Sequence, residues 1–272
     1  MFARIASLVV VAVLSSPAFA DPPKKADAAA DVVAKLREPW KGDLPVVARV
    51  QDLIDVLSQK HGVSVVVKAE DFKQAGTEEI FEKVVRFPAA KGLVLRSVMN
   101  TVLAQVNGTF LVRKDHVEFL PIPLAARVTG SKVDDDGMSR LTQPLVSVIV
   151  KEKPLNEVAA DIAEEFDLNV VVSPQAGDAR MGFVSLRLLN VPADKALDTL
   201  ATAADLRVVR KGNVFFVTSR DHANELFGEK LDKERQKIEL EKLRDTPANP
   251  FGPLVGQPPV APPPVPKPDE KK

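Results

Sequence analysis

The side chains that could do chemistry in this chain are three histidines, several acidic clusters and two Arg-Lys pairs. The histidines, His61, His116 and His222, are far apart in sequence, and there is no cysteine. No His-x-x-x-His pair or thiol set is present, so a zinc site is not expected. Asp134-Asp135-Asp136-Gly137 resembles the opening of a calcium loop. Such a loop needs alternating oxygen ligands and a closing bidentate Glu, and the twelfth position from Asp134 is Leu145. A solvated turn is the expectation there. Thr129-Gly130-Ser131-Lys132 lacks the rest of a phosphate-binding loop, and no Gly-x-Ser-x-Gly elbow occurs. The remaining carboxylate pairs fall on charged helix faces, where solvation is the default. No catalytic residue, metal site or cofactor is therefore assigned, and the chain is read as a non-enzyme.

The Arg-Lys pairs point to binding. Arg113-Lys114 and Arg210-Lys211 each sit in a closing hairpin, within Phe110 to Leu120 and Leu206 to Thr218. Small sheets leave edges that pair with extended partners, and basic residues there either contact an acidic partner or guard the edge. Arg113, Lys114, Arg210 and Lys211 are the candidate partner-binding residues.

These pairs are carried by an internal repeat, which fixes the unit of folding. At an offset of 105, residues 50–67 match 155–172, with Val50 on Leu155, Leu53 on Val158, Leu57 on Ile162 and Val63 on Leu168. Further on, Leu111-Val112-Arg113-Lys114 aligns with Val208-Val209-Arg210-Lys211. Each unit reads β-α-β-β-α-β-β. In the second, Val146 to Val150 is a strand and Pro154 opens a helix with Leu155, Val158, Ala159, Ile162 and Phe166 at helical spacing. Val170 to Val172 is a strand stopped by Ser173-Pro174, and a further strand runs from Phe183 to Leu188. Pro192 opens a helix lined by Ala196, Leu197, Leu200 and Ala204, and a hairpin turns at Lys211-Gly212-Asn213. The first unit repeats the order, with its second helix over Ala90 to Val106, ended by Asn107-Gly108. Trp40, the single Trp, is expected to cap the first core.

The fold class that follows is α+β: two tandem small domains, each with two helices on short mixed sheets. Residues 1–20 read as a secretory signal peptide, with Arg4, the apolar run Ile5 to Leu14 and the Ala18-Phe19-Ala20 cleavage pattern. The run is too short to span a membrane. Residues 21–43 read as a flexible start with a short helix around Ala28 to Arg37, 44–121 as the first domain, 122–143 as a connector and 144–219 as the second domain. Residues 220–246 read as a charged, exposed helix with pairs such as Glu229 and Lys233, and the Pro-rich 247–272 as a disordered tail. That tail is a spacer, a polyproline ligand or a cell-wall contact, with the spacer favoured. Lys and Arg number 37 and Asp and Glu 37, so the whole chain has no net attraction to nucleic acid or acidic lipid.

Leu188-Leu-Asn-Val-Pro-Ala-Asp-Lys-Ala-Leu-Asp-Thr-Leu200, then Leu206-Arg-Val-Val-Arg-Lys-Gly-Asn-Val-Phe-Phe-Val217, closely resembles the short N-terminal domain of secretins and TonB-dependent receptors. The first unit is similar, with Arg86-Phe87-Pro88 in place of Asn190-Val191-Pro192. The resemblance implies a periplasmic, non-enzymatic module that contacts envelope proteins, such as a secretin or outer-membrane barrel complex, or copies of itself. Beyond Thr218 a helix and the tail remain, so the resemblance is to the soluble adaptor part without its channel. The second reading is a self-assembling structural protein. A small-ligand binder or enzyme would instead need a deep polar pocket.

Overall fold

The computed structural model describes residues 27–42, 45–88, 92–134 and 140–245. The signal segment, the Pro-rich tail and Asp135-Asp136 of the acidic turn lie outside the described residues. The first element, α1 (Ala28–Leu36), is capped by Asp27, whose carboxylate accepts from the Ala29 N–H at 3.1 Å. Ala29, Val32, Val33 and Leu36 form one apolar stripe and all are buried. The sequence places a short helix around Ala28 to Arg37 within this segment; α1 packs because its four apolar positions share one face.

The first unit follows. Its elements are β1 (Val47–Arg49), α2 (Val50–Lys60), β2 (Val65–Val67), α3 (Ala69–Gln74), a 3-10 turn (Ile80–Glu82), β3 (Val84–Arg86), α4 (Leu95–Ala104), β4 (Gly108–Val112) and β5 (Val117–Pro121). β1 pairs antiparallel with β3. β5 lies between β2, to which it is parallel, and β4, to which it is antiparallel. Leu53 and Leu57 of α2 meet Leu95, Met99 and Leu103 of α4 over Phe119, all fully buried. Gly108 permits close packing at one corner, since a Cβ there would stand 3.0 Å from the Phe72 ring.

α5 (Ile122–Thr129), β6 (Val133–Asp134) and β7 (Arg140–Leu141) precede the second unit. That unit comprises β8 (Leu145–Pro154), α6 (Leu155–Phe166), β9 (Asn169–Val172), a 3-10 turn (Pro174–Met181), β10 (Phe183–Pro192), α7 (Ala193–Ala203), β11 (Arg207–Lys211) and β12 (Val214–Thr218). β8 pairs antiparallel with β10, and β12 lies between parallel β9 and antiparallel β11. The two units therefore share element order, strand pairing and strand sense. Leu155, Val158 and Ile162 of α6 pack on Ala196, Leu197 and Leu200 of α7 and on Phe215 and Val217.

The repeat is longer than the sequence suggests. After the first hairpin, α5 covers the outer sheet face through Ala125 on Leu111 and Leu120. After the second, α8 (Arg220–Asp245) does the same through Ala223 and Leu226 on Val209. The 122–143 segment, read as a plain connector, therefore starts with a structural helix of the first unit. From Glu229 to Glu241 α8 is exposed. Its described i,i+4 pair is Lys230–Glu234 at 3.9 Å rather than Glu229–Lys233. Among the described residues no helix is long and apolar enough to cross a membrane.

Leu36 is fully buried in the first core. Leu36→Ala is expected to lower stability by roughly 2–5 kcal/mol in urea unfolding, the usual range for a buried leucine. No change would show that α1 is a free segment.

Candidate functional site at the junction of the two units

The structure places the four candidate residues differently from one another. Arg113 continues the first hairpin, its N–H donating to the His116 carbonyl at 2.9 Å, so Lys114-Asp115 is the turn. In the second hairpin Lys211 lies opposite Val214, and Gly212-Asn213 is the turn, with Gly212 at φ +62°. Arg113 thus matches Lys211, Lys114 matches Gly212, and Arg210 matches Val112. The two Arg-Lys pairs do not occupy the same point of the two units. Shared spelling suggested one register, but the turn positions fix another by one residue. The same register, 98 residues from first unit to second, relates Leu95 to Ala193, Asn107 to Asp205 and Ile122 to Arg220. Asn107 and Asp205 both take left-handed φ, 51° and 59°.

Arg113 is engaged within its own unit. Its guanidinium pairs with Glu118 at 2.5 Å, and Lys68 approaches the same carboxylate at 3.3 Å. Burial opposes ionisation of Glu118, but the hydrogen bond and charge of Arg113, with help from Lys68, hold its carboxyl below the ordinary range. Lys114 is exposed at the turn. Arg210 and Lys211 are exposed and project to opposite faces, as neighbours on a strand must. Arg210 lies 5.3 Å from the Phe215 ring centroid and donates to the Gly212 carbonyl at 3.0 Å, while Lys211 lies 5.7 Å from Phe216.

What the sequence did not reveal is that the units pack on each other. Asn190 takes a left-handed conformation at the end of β10, φ 57°, and aims its amide at the edge of β4. Its Oδ1 accepts from the Val112 N–H at 2.7 Å and its Nδ2 donates to the Val112 carbonyl at 2.8 Å. One side chain thus mimics a strand partner, and the β4 edge is taken by β10. The Ser147 hydroxyl accepts from the Asn190 N–H at 2.9 Å and steadies this conformation. Beside it, Arg96 of α4 is only 4% exposed. It lies between the Phe166 ring, 4.6 Å from its centroid, and the Phe110 ring at 6.0 Å. Arg96 approaches Glu165 of α6 to 3.1 Å, close enough for an ion pair but not aligned as a hydrogen bond. Arg37, just beyond α1, holds the other Glu165 oxygen at 2.6 Å. Burial pushes the Arg96 pKa down to about 10, and Glu165 counters that effect. Asp27 pairs with Arg187 of β10 at 3.1 Å, so α1 touches the second unit from both ends. Asn190 sits inside the Asn-Val-Pro motif, so its position was visible; Arg96 and Glu165 carried no local signal.

Packing of the units also gathers positive charge. Arg113, Asn190 and Lys195 line a shallow cleft of about 320 Å³. Lys132, Lys195 and Arg210, with Asp194, line the neighbouring cleft of about 440 Å³. Arg113, Lys132, Lys195 and Arg210 therefore form a basic strip along the start of α7. No group of three or more His, Cys, Asp or Glu placed to hold a metal exists among the described residues.

Trp40 stacks on His61 at 5.5 Å and on Phe87 at 6.4 Å, and is half-buried against the first core. His61 is 5% exposed; its Nε2 accepts from the Lys41 N–H at 3.3 Å, and its buried Nδ1 has no described partner. Burial holds the imidazole below its ordinary pKa, with Lys41 acting in the same sense and Glu38 opposing. Its counterpart in the second unit is Phe166.

No family model matches the chain. The chain is similar to the DNA utilization protein HofQ of Escherichia coli (strain K12), 38% identical over 74 residues, which are 27% of this chain and 17% of HofQ. It is also similar to the fimbrial assembly protein PilQ of Pseudomonas aeruginosa, 37% identical over 83 residues, 30% of this chain and 11% of PilQ. The matched stretch is thus a small part of either relative. Both are secretin proteins, and the similarity is consistent with a secretin-related N-terminal module.

A base with a depressed folded pKa binds its proton less well when folded than when unfolded. Stability present above the ordinary imidazole pKa is therefore lost as pH falls below it. The urea midpoint is expected to drop between about pH 7.5 and about pH 5.5, a range in which carboxylates stay ionised. His61→Phe, which supplies the ring found in the second unit, should reduce that drop. An equal drop in both proteins would show that His61 does not cause it.

Proposed function

We propose that this is an exported, non-enzymatic interaction protein of the cell envelope. In this reading two tandem secretin-type N-terminal domains act as one body and serve a secretion or outer-membrane transport complex. The observation that carries it is the repeated unit, whose shared element order and strand pairing serve packing and the presentation of edges and charge. The partial similarity to HofQ and PilQ supports the envelope setting. The partner-binding surface in this reading is the basic strip of Arg113, Lys132, Lys195 and Arg210, with Lys211 and Lys114 at the hairpin tips. Its partner is an acidic segment of a secretin-type or barrel protein. Steering by such a strip is long-ranged and weakens with salt.

Crosslinking the protein in its own envelope is expected to recover a secretin-type or outer-membrane protein. Arg210→Glu combined with Lys211→Glu should reduce that recovery about tenfold or more, as charge reversal at an interface does. Undiminished recovery from the double variant would exclude the hairpin as the contact. Recovery of no envelope protein would overturn the reading.

A further inference from the structure

Packing of the two units encloses a cavity of about 350 Å³ between them. The first unit supplies Arg96, Phe110 and Ile122 to its wall, and the second Leu145, Ser147 and Phe166. The buried Arg96, Phe110, Ser147 and Phe166 form its closed end, and the exposed Asn100, Ala104 and Arg140 its mouth. The volume falls at the lower end of ligand pockets, roughly 300–1,000 Å³. Among the described residues no His, Asp or Glu lines it, so it offers no acid or base for catalysis.

The closed end carries an unspent charge. Arg37 and Arg96 share the single Glu165 carboxylate, which leaves one positive charge in surplus. Arg140 at the mouth stands opposite Asp134 across β6–β7. Glu165 does not use up the donors of Arg96 either. Nε and Nη2 are buried without an aligned hydrogen bond, although a guanidinium has five N–H donors and buried donors normally find acceptors. The rings of Phe110 and Phe166 flank this guanidinium and continue as apolar wall into Ile122 and Leu145. One surplus charge at the end of an apolar cavity matches a single carboxylate on an apolar body. A phosphate would bring a second charge and no apolar surface.

We propose that the cavity binds a small monocarboxylate with an apolar body, the carboxylate accepting from Arg96 and the body lying against Phe110, Ile122, Leu145 and Phe166. Each unit supplies part of the wall, so the bound acid favours the packed arrangement of the units. This does not depend on which envelope partner the basic strip meets. The test is a titration of the purified full chain with hydrocinnamate, followed by amide NMR shifts at about 0.15 M salt, which screens exposed charge. Saturable shifts are expected at Thr109, Phe110 and Leu145. Hydrocinnamyl alcohol, the same body without the charge, should bind about tenfold more weakly or worse. Acetate, the charge without the body, should give no saturable shift. Ala104→Phe, which fills the mouth from an exposed position on α4, should weaken hydrocinnamate binding about tenfold, with circular dichroism showing that it is folded. No saturable shift, equal affinity for the acid and the alcohol, acetate bound as tightly as hydrocinnamate, full affinity in Ala104→Phe, or shifts confined to Lys132, Lys195 and Arg210 would each overturn the proposal.

Discussion

The arrangement of the two units depends on one buried charge. Arg96 lies inside the junction between Phe110 and Phe166, where an unpaired guanidinium would be destabilising by several kcal/mol. Glu165, from the other unit, is the charge that makes its burial tolerable, and Arg37 secures that carboxylate from outside. A buried pair of this kind adds little net stability compared with apolar packing. It does make any arrangement that separates Arg96 from Glu165 unfavourable. The paired hydrogen bonds between Asn190 and Val112, one donated by each, then fix the register of β10 against β4. One ion pair sets which surfaces meet and one amide sets how they align.

The same repeat also shows how a duplicated unit diverges. Core positions stay apolar: Val98 and Ala196, Met99 and Leu197, Val102 and Leu200 hold equivalent places. Other positions change sign or type between the units: Arg96 is matched by Asp194, Lys60 by Glu165 and His61 by Phe166. Packing constrains the first group, because a core at native density tolerates little change in volume. The second group follows what covers it, Trp40 over His61 and Arg96 over Phe166.

Helical and strand periodicity made both units legible. The α6 stripe of Leu155, Val158, Ala159, Ile162 and Phe166 is buried as its spacing requires. The α4 boundaries were less legible. The sequence suggested a helix from about Ala90, but α4 starts at Leu95, whose N–H donates to the Glu38 carbonyl from a distant segment. Packing of α5 on Leu111 and Leu120 was hidden for the same reason, since its partners precede it on another element. The Arg-Lys pairs were visible as charge, but their register was set by turn geometry and their convergence with Lys132 and Lys195 by packing of the units. Local pattern reports which face of an element is apolar; it does not report which other face will cover it.

The central claim is that the two units form one cooperative body through Glu165. Differential scanning calorimetry tests it most directly. The account predicts a single transition whose calorimetric and van't Hoff enthalpies agree, and two separated transitions after Glu165→Ala, which leaves Arg96 buried without its partner. Two independent transitions in the unaltered chain would contradict it.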